Sequence, residues 1–206
     1  MKNKIIALSI LLLSTMSIAF SAQYKYLSEY WQKMKLVQDW TIGYDIEGEF
    51  KSDSFAYKFT ALKKGKKYKF VVKTRNSDIT YLYQGRDVVY INMSPDKELF
   101  KIKGGIDFLK KHTPIEVFEW FETEYVYGKV GSKTTKYAYP CRVIYDDRLD
   151  ACINEDTGIA LYIEKSKNNR YYETTVDKVK RGWFIVKEKD FLLPEGYEII
   201  DKTVTE

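Results

Sequence analysis

The chain is poor in the residues that do chemistry. Its 206 residues include one histidine, His112, and two cysteines. A metal centre needs clustered histidine, cysteine or carboxylate ligands, and no stretch sets such residues at ligand spacing, so neither metal nor cofactor is expected. No glycine-rich phosphate loop follows a strand-like segment, and no nucleophile elbow is visible. His112 sits at the end of a short helical pattern, where an imidazole meets helix carbonyls more readily than substrate. Glu119, Glu122 and Glu124 lie close enough in sequence to act as paired acids, yet carboxylates at this density are usual on a solvated surface. Asp146, Asp147 and Asp150 are accounted for by strand alternation and a turn. These absences speak against an enzyme.

Long apolar runs are equally scarce. The one clear run, Ile5 to Leu13, follows Lys2 and Lys4 and precedes the small residues Ala19 and Ser21, which is the three-part layout of a secretory signal peptide. It is shorter than the ~20 residues a spanning helix needs. Cleavage before Ala22 keeps the bulky Phe20 out of the minus-three position, so residues 1–21 read as the signal and 22–206 as one domain without linker or repeat. No cysteine lies near the cut, so the residue on which a bacterial lipoprotein is acylated is missing. A soluble periplasmic protein with no stable membrane span is the expectation. The formal net charge of +5 is too mild to argue for nucleic acid. Lys63, Lys64, Lys66 and Lys67 bracket Gly65 at a hairpin tip, where they could meet acidic headgroups or an acidic partner; solvated turn charge is the plainer reading.

What the chain does have is aromatic alternation. Ile42, Tyr44, Ile46 and Phe50 share one parity, Phe55, Tyr57 and Phe59 another, and Tyr68, Phe70 and Val72 a third, with Lys58, Lys67, Lys69 and Lys73 at alternate positions. Period-two alternation of this kind marks half-buried antiparallel strands. Before them, Leu27, Tyr30, Trp31, Met34 and Val37 recur at helical spacing, predicting an amphipathic helix over 24–37 that packs across the sheet. Ser52 and Asp53, then Lys64 and Gly65, then Gln84 to Arg86 supply turns, giving a meander that continues through 79–83, 88–93 and 99–102.

Gly104 and Gly105 then break the strand pattern. Ile106, Phe108 and Leu109 predict a short helix ending near His112. Thr113, Pro114 and Glu116 have the spacing of a capping signal for a second helix whose apolar face is Val117, Phe118 and Phe121. Strands are expected again over 125–130, 137–145, 149–153, 159–163 and 171–179, with a last stretch through Phe184 to Val186, Phe191 to Pro194 and Tyr197 to Ile200. About ten strands and a few short helices fit a mainly β (α+β) domain: a strongly curved antiparallel sheet, or incomplete barrel, covered by the N-terminal helix and the mid-chain helical insertion. If Tyr145 to Arg148 form the turn, counting outward brings Cys141 opposite Cys152, and an exported chain predicts a disulfide there.

Tyr139-Pro140-Cys141-Arg142-Val143, Gly158 to Glu164 and Phe191-Leu192-Leu193-Pro194-Glu195-Gly196-Tyr197 resemble segments of the outer-membrane lipoprotein-sorting superfamily, the LolA-like and LolB-like carriers. The resemblance spans most of the chain after residue 21. It implies an incomplete barrel whose hollow holds acyl chains, with Ile106 to Phe121 as its cover. An apolar cavity lined by Tyr44, Ile46, Tyr57, Phe59, Tyr68, Phe70, Val72, Phe108, Leu109, Val117, Phe118 and Phe121 is the candidate site. The functional expectation is a non-catalytic periplasmic carrier of a lipid or an acylated protein. The alternative is an envelope sensor or scaffold that uses the same fold to bind a protein partner. A plain core helix pair is the other reading of the cover.

Overall fold

The computed structural model describes residues 27–38, 41–93, 97–120, 128–136, 139–146, 149–167 and 170–203. The expected signal peptide and its cut before Ala22 lie outside these residues, as do Phe121 and the start of the strand expected from Tyr125.

The alternating segments form a meander. β1 (Gly43–Ser52), β2 (Ala56–Lys64), β3 (Lys67–Lys73), β4 (Asp78–Tyr83), β5 (Val88–Met93) and β6 (Glu98–Lys103) pair in sequence order, each antiparallel to the next. Because side chains alternate across a strand, the registers align one row of apolar groups over all of them: Ile46, Ala61, Phe70, Tyr81, Ile91 and Phe100. On the far side of β1 the sheet continues through β11 (Arg170–Gly182), β10 (Ala160–Lys167), β9 (Leu149–Ile153), β8 (Tyr139–Tyr145) and β7 (Lys129–Lys136). β12 (Glu198–Asp201) adds beside β6 and is the one parallel partner. The sheet has 12 strands and does not close, since β12 and β7 are edges. The expected curved, incomplete barrel is therefore present.

Curvature comes from irregular pairing. The register shifts opposite Glu47/Gly48, where β11 carries the extra residue Asp177, at Val130/Lys133 in β7 and at Ala160/Tyr162 in β10, and each extra residue bends its strand and adds twist. Gly48 is obligatory at its bend, because a Cβ there would lie 2.1 Å from the Thr175 carbonyl oxygen and 2.8 Å from the Phe59 ring.

Helix α1 (Leu27–Val37) buries Leu27, Tyr30 and Met34 against Trp120 and the apolar side chains of β7 to β10. Gln38 follows it and ties three segments together: its Nε2 donates to the carbonyls of Gly158 at 2.6 Å and Phe118 at 3.0 Å, while Trp120 Nε1 donates to Gly158 at 3.0 Å. Gly158 adopts φ 71° with Gln38 Cγ only 2.4 Å from where a Cβ would sit, so a side chain is excluded there twice over.

Helix α2 (Gly105–His112) lies over the meander as expected. Among the described residues the second predicted helix is replaced by a single 3-10 turn, Ile115–Val117. The cause is Thr113, whose backbone N–H and hydroxyl both bond the Leu109 carbonyl at 2.8 Å. Its side chain terminates α2 and is not available to cap a following turn. The stretch after Gly182 also departs from expectation: Phe184 to Val186 turn instead of pairing. Val186, Phe191 and Leu193 then strap the opposite face of the meander, over Leu62, Leu82 and Tyr90.

Cys141 and Cys152 are joined by a disulfide with Cα atoms 5.5 Å apart. The expected bond is present, on a shifted register. The turn closes between Asp146 and Leu149, whose N–H groups bond the partner's carbonyl oxygen and carboxylate respectively, both at 2.9 Å. Tyr145 consequently pairs with Asp150, Cys152 faces Val143, and the bridge runs diagonally to Cys141.

Candidate functional site

The concave face of the meander receives α2 and the 3-10 turn. Leu109, Ile115, Val117 and Phe118 are buried there with Tyr44, Ile46, Phe59, Tyr68 and Phe70 in one continuous cluster. Phe118 is the centre: its ring meets Tyr68 at 5.9 Å, Phe70 at 6.3 Å and Tyr44 at 6.4 Å, each edge to face. The middle of the wall is thus filled by the cover. Open space remains toward both ends of the strands.

One end holds an aromatic cleft of about 550 Å³. Phe50, Phe55, Tyr57, Val72, Ile79, Tyr81 and Tyr172 form its apolar wall, and Lys110, Lys111, His112 and Lys165 stand around it. The rings are ordered on one another, with Phe50 stacked on Tyr57 at 4.9 Å and on Phe55 at 5.7 Å. Burial raises the Tyr57 phenol far above its usual range, and the nearby Glu116 carboxylate pushes the same way. Glu116 is itself held by the Thr174 hydroxyl at 3.1 Å. His112 stacks on Phe108 at 4.2 Å between ring centres, a ring contact that the sequence did not announce.

The other end holds a cleft of about 530 Å³ lined by Lys63, Gly65, Lys66, Tyr68, Tyr83, Ile106, Lys110 and Glu119. At its base is a buried cation. Lys63 is only 2% exposed, with its ammonium on the Tyr68 hydroxyl and 3.4 Å from Glu119, while Tyr68 donates to the same carboxylate at 2.6 Å. Burial draws the Lys63 ammonium down to about 8 against the opposing pull of Glu119. Burial likewise drives the Tyr68 phenol well above its ordinary value, and Glu119 adds to the effect. The group pins the loop after the 3-10 turn to β2 and β3. Among the described residues, no three His, Cys, Asp or Glu side chains gather as a metal site requires.

Of the residues singled out in sequence, Tyr57 and Val72 line the aromatic cleft and Tyr68 the lysine cleft. Tyr44, Ile46, Phe59, Phe70, Leu109, Val117 and Phe118 form the packed wall and cover between them, and Phe108 packs at its margin. Phe121 lies outside the described residues. Phe50, Phe55, Ile79, Tyr81 and Tyr172 line the aromatic cleft without having been on that roster. The signal for Phe50 was present, since it shares the parity of Tyr44 and Ile46 along β1. Lys63 was masked by its neighbours: four lysines around a glycine read as a solvated tip, although Lys63 shares the inward parity of Phe59 and Ala61.

No protein-family model matches the chain, and no curated protein matches it in sequence. Solved structures match in fold. An uncharacterized conserved protein from Thermus thermophilus superposes with a TM-score of 0.58 at 6% identity, over 83% of this chain and 98% of that one. A chain of the Pseudomonas aeruginosa MucA/MucB complex superposes with a TM-score of 0.51 at 8% identity, over 82% of this chain and 62% of that one. MucB solved alone gives 0.49 at 10% identity, over 84% of this chain and 64% of its own, so the chain spans less than two thirds of MucB. At such identities the likeness is one of architecture. The open, helix-covered half-barrel built here from the aromatic meander outward is the fold these solved structures share, and it has the architecture that the resemblance to LolA-like carriers implied.

Proposed function

We propose that the chain is a non-catalytic binding or carrier protein of the cell envelope, which shields an alkyl chain of a lipid or an acylated protein against the concave face of its half-barrel. The observation that carries this reading is the aromatic cleft, an apolar-walled space of about 550 Å³ under the end of α2. That volume falls within the ordinary range of small-ligand sites, and a ring-lined wall with a few cations at its rim suits an amphiphile. Each methylene taken out of water contributes about 0.8 kcal/mol, so even a partly enclosed chain would be held firmly. In this reading Tyr57 and Val72 touch the ligand, the filled cluster around Phe118 backs it, and residues 1–21 are removed on export to the periplasm.

Native mass spectrometry of protein purified from its own envelope tests this. Lipid adducts that dodecanol displaces are the expected result. Protein that is ligand-free in every preparation and is not stabilised by dodecanol would overturn it. The architecture shared with a chain of the MucA/MucB complex supports a second reading, an envelope sensor or scaffold with a protein partner. A pull-down recovering one stoichiometric protein, with no lipid, would favour that alternative.

A further inference from the structure

The turn after β11 holds Trp183, Phe184 and Ile185 in solvent at 60%, 88% and 43% exposure. Scattered apolar side chains on a surface need no explanation, but three large ones in succession at a projecting turn do. The tip is anchored at both sides. Ile185 N–H bonds the Gly182 carbonyl at 3.4 Å, Val186 at the start of the strap is fully buried, and Lys64 Nζ donates to the Val186 carbonyl at 3.3 Å. Lys67 pairs with Glu188 just beyond. These bonds fix the tip beside the β2–β3 hairpin, at the end of the sheet where the lysine cleft opens.

Lys64, Lys66 and Lys67 occupy the hairpin and Lys187 and Lys189 follow the tip, against Glu188 and Asp190, with Glu188 shared between Lys64 and Lys67. Leu36 is 85% exposed on the last turn of α1, and Arg181, two residues before Trp183, bonds the adjoining Val37 carbonyl at 3.1 Å. A tryptophan and a phenylalanine projecting among lysines match the chemistry of a lipid headgroup layer: rings settle at the level between water and acyl chains, and ammonium groups meet phosphates. A stable protein interface needs roughly 800 Å² from each partner, more than a three-residue tip presents, whereas a bilayer accepts a few inserted side chains.

We propose that the Trp183–Ile185 tip, with the lysines of the β2–β3 hairpin, docks this protein on an anionic bilayer surface. Docked so, the lysine cleft, whose lining includes Gly65 and Lys66 of that hairpin, opens toward the headgroups. The inference stands apart from the carrier reading, since a protein that never takes up an alkyl chain could still dock.

Co-sedimentation of residues 22–206, the chain that remains once the expected signal is removed, with vesicles of phosphatidylglycerol and phosphatidylethanolamine, against pure phosphatidylcholine, is the experiment. Anionic vesicles should capture the protein and neutral ones should not, and brominated acyl chains should quench Trp183. The F184S variant, changed at a solvent-exposed position, should keep the wild-type thermal transition and lose capture at least about tenfold. K66E should weaken capture by about fivefold or more and reduce its dependence on salt. Equal capture by both vesicle types, undiminished capture of F184S, or loss of a self-associated species in F184S would overturn the proposal. So would tight binding to a soluble acidic protein that F184S abolishes while vesicles are ignored.

Discussion

Replacing Phe118 with alanine would empty the centre of the concave face. Its ring is fully buried among Tyr44, Tyr68 and Phe70, with the Lys63 ammonium 5.7 Å from the ring centre. Truncating a buried phenylalanine costs about 3–5 kcal/mol, and the cost grows with the space the surroundings fail to close. Closure is hindered here, because the Phe118 carbonyl is held by Gln38 Nε2 at 3.0 Å and its N–H by the Ile115 carbonyl at 2.9 Å. F118A should therefore fall in the upper half of that range, about 4–5 kcal/mol in urea unfolding followed by circular dichroism. The vacated space adjoins the lysine cleft through Tyr68. An alkyl chain placing about four methylenes there would regain roughly 3 kcal/mol, so saturating dodecanol should restore most of the loss in F118A and stabilise the wild type less. A loss under about 1 kcal/mol would refute the keystone role of the ring. A full loss that dodecanol leaves untouched would mean that the wall collapses when the ring is removed.

Two further perturbations test the buried groups. Below pH 8 Lys63 is protonated in both folded and unfolded chains; above its native value of about 8 the folded chain gives up that proton while the unfolded chain keeps it. The unfolded state then binds more protons, so stability should rise between pH 8 and 9.5 by up to about 1.4 kcal/mol per pH unit. Near pH 10 the sign reverses, because Tyr57 and Tyr68 hold their protons in the folded state beyond the usual phenol range. Urea titrations across this window should show the rise, and K63M should abolish it; an unchanged slope in K63M would remove the assignment. Replacing both Cys141 and Cys152 with serine opens a loop with a sequence separation of 11, which in the chain-entropy model costs about 3 kcal/mol. Equal midpoints for oxidised and reduced protein in chemical denaturation would contradict that.

The meander was legible because its strands are half-buried. Where one face packs and the other meets water, as at Tyr68, Phe70 and Val72 set between lysines, composition follows the pleat. β7 carried no such record: Gly131 to Lys136 reads Gly-Ser-Lys-Thr-Thr-Lys, polar on both sides, and its place at an open edge asks for little else. Thr113 misled for a different reason. A threonine before proline satisfies the rule for starting a helix, but its hydroxyl can equally bond four residues back, and only the path of the chain decides between them. The hairpin register failed because the turn could be centred in more than one way with the cysteines still within bridging reach. The clefts lay beyond reach, since Phe50 of β1, Tyr81 of β4 and Tyr172 of β11 meet around one space only once the sheet has folded.

The pairing of β1 with β11 carries a kinetic consequence. Apart from the bulge opposite Gly48 it runs from Gly43 with Gly182 to Ser52 with Tyr172, and among the described strand pairings it alone joins β1–β6 to β7–β11. Nothing local can nucleate a ladder between segments so distant along the chain, so loop-closure entropy must be met before the contact stabilises anything. Until that seam forms, each half carries a long naked strand margin able to zip onto a neighbouring molecule. Assembly of this sheet should accordingly be slow and concentration-sensitive, with the last step the meeting of its earliest long strand and its latest.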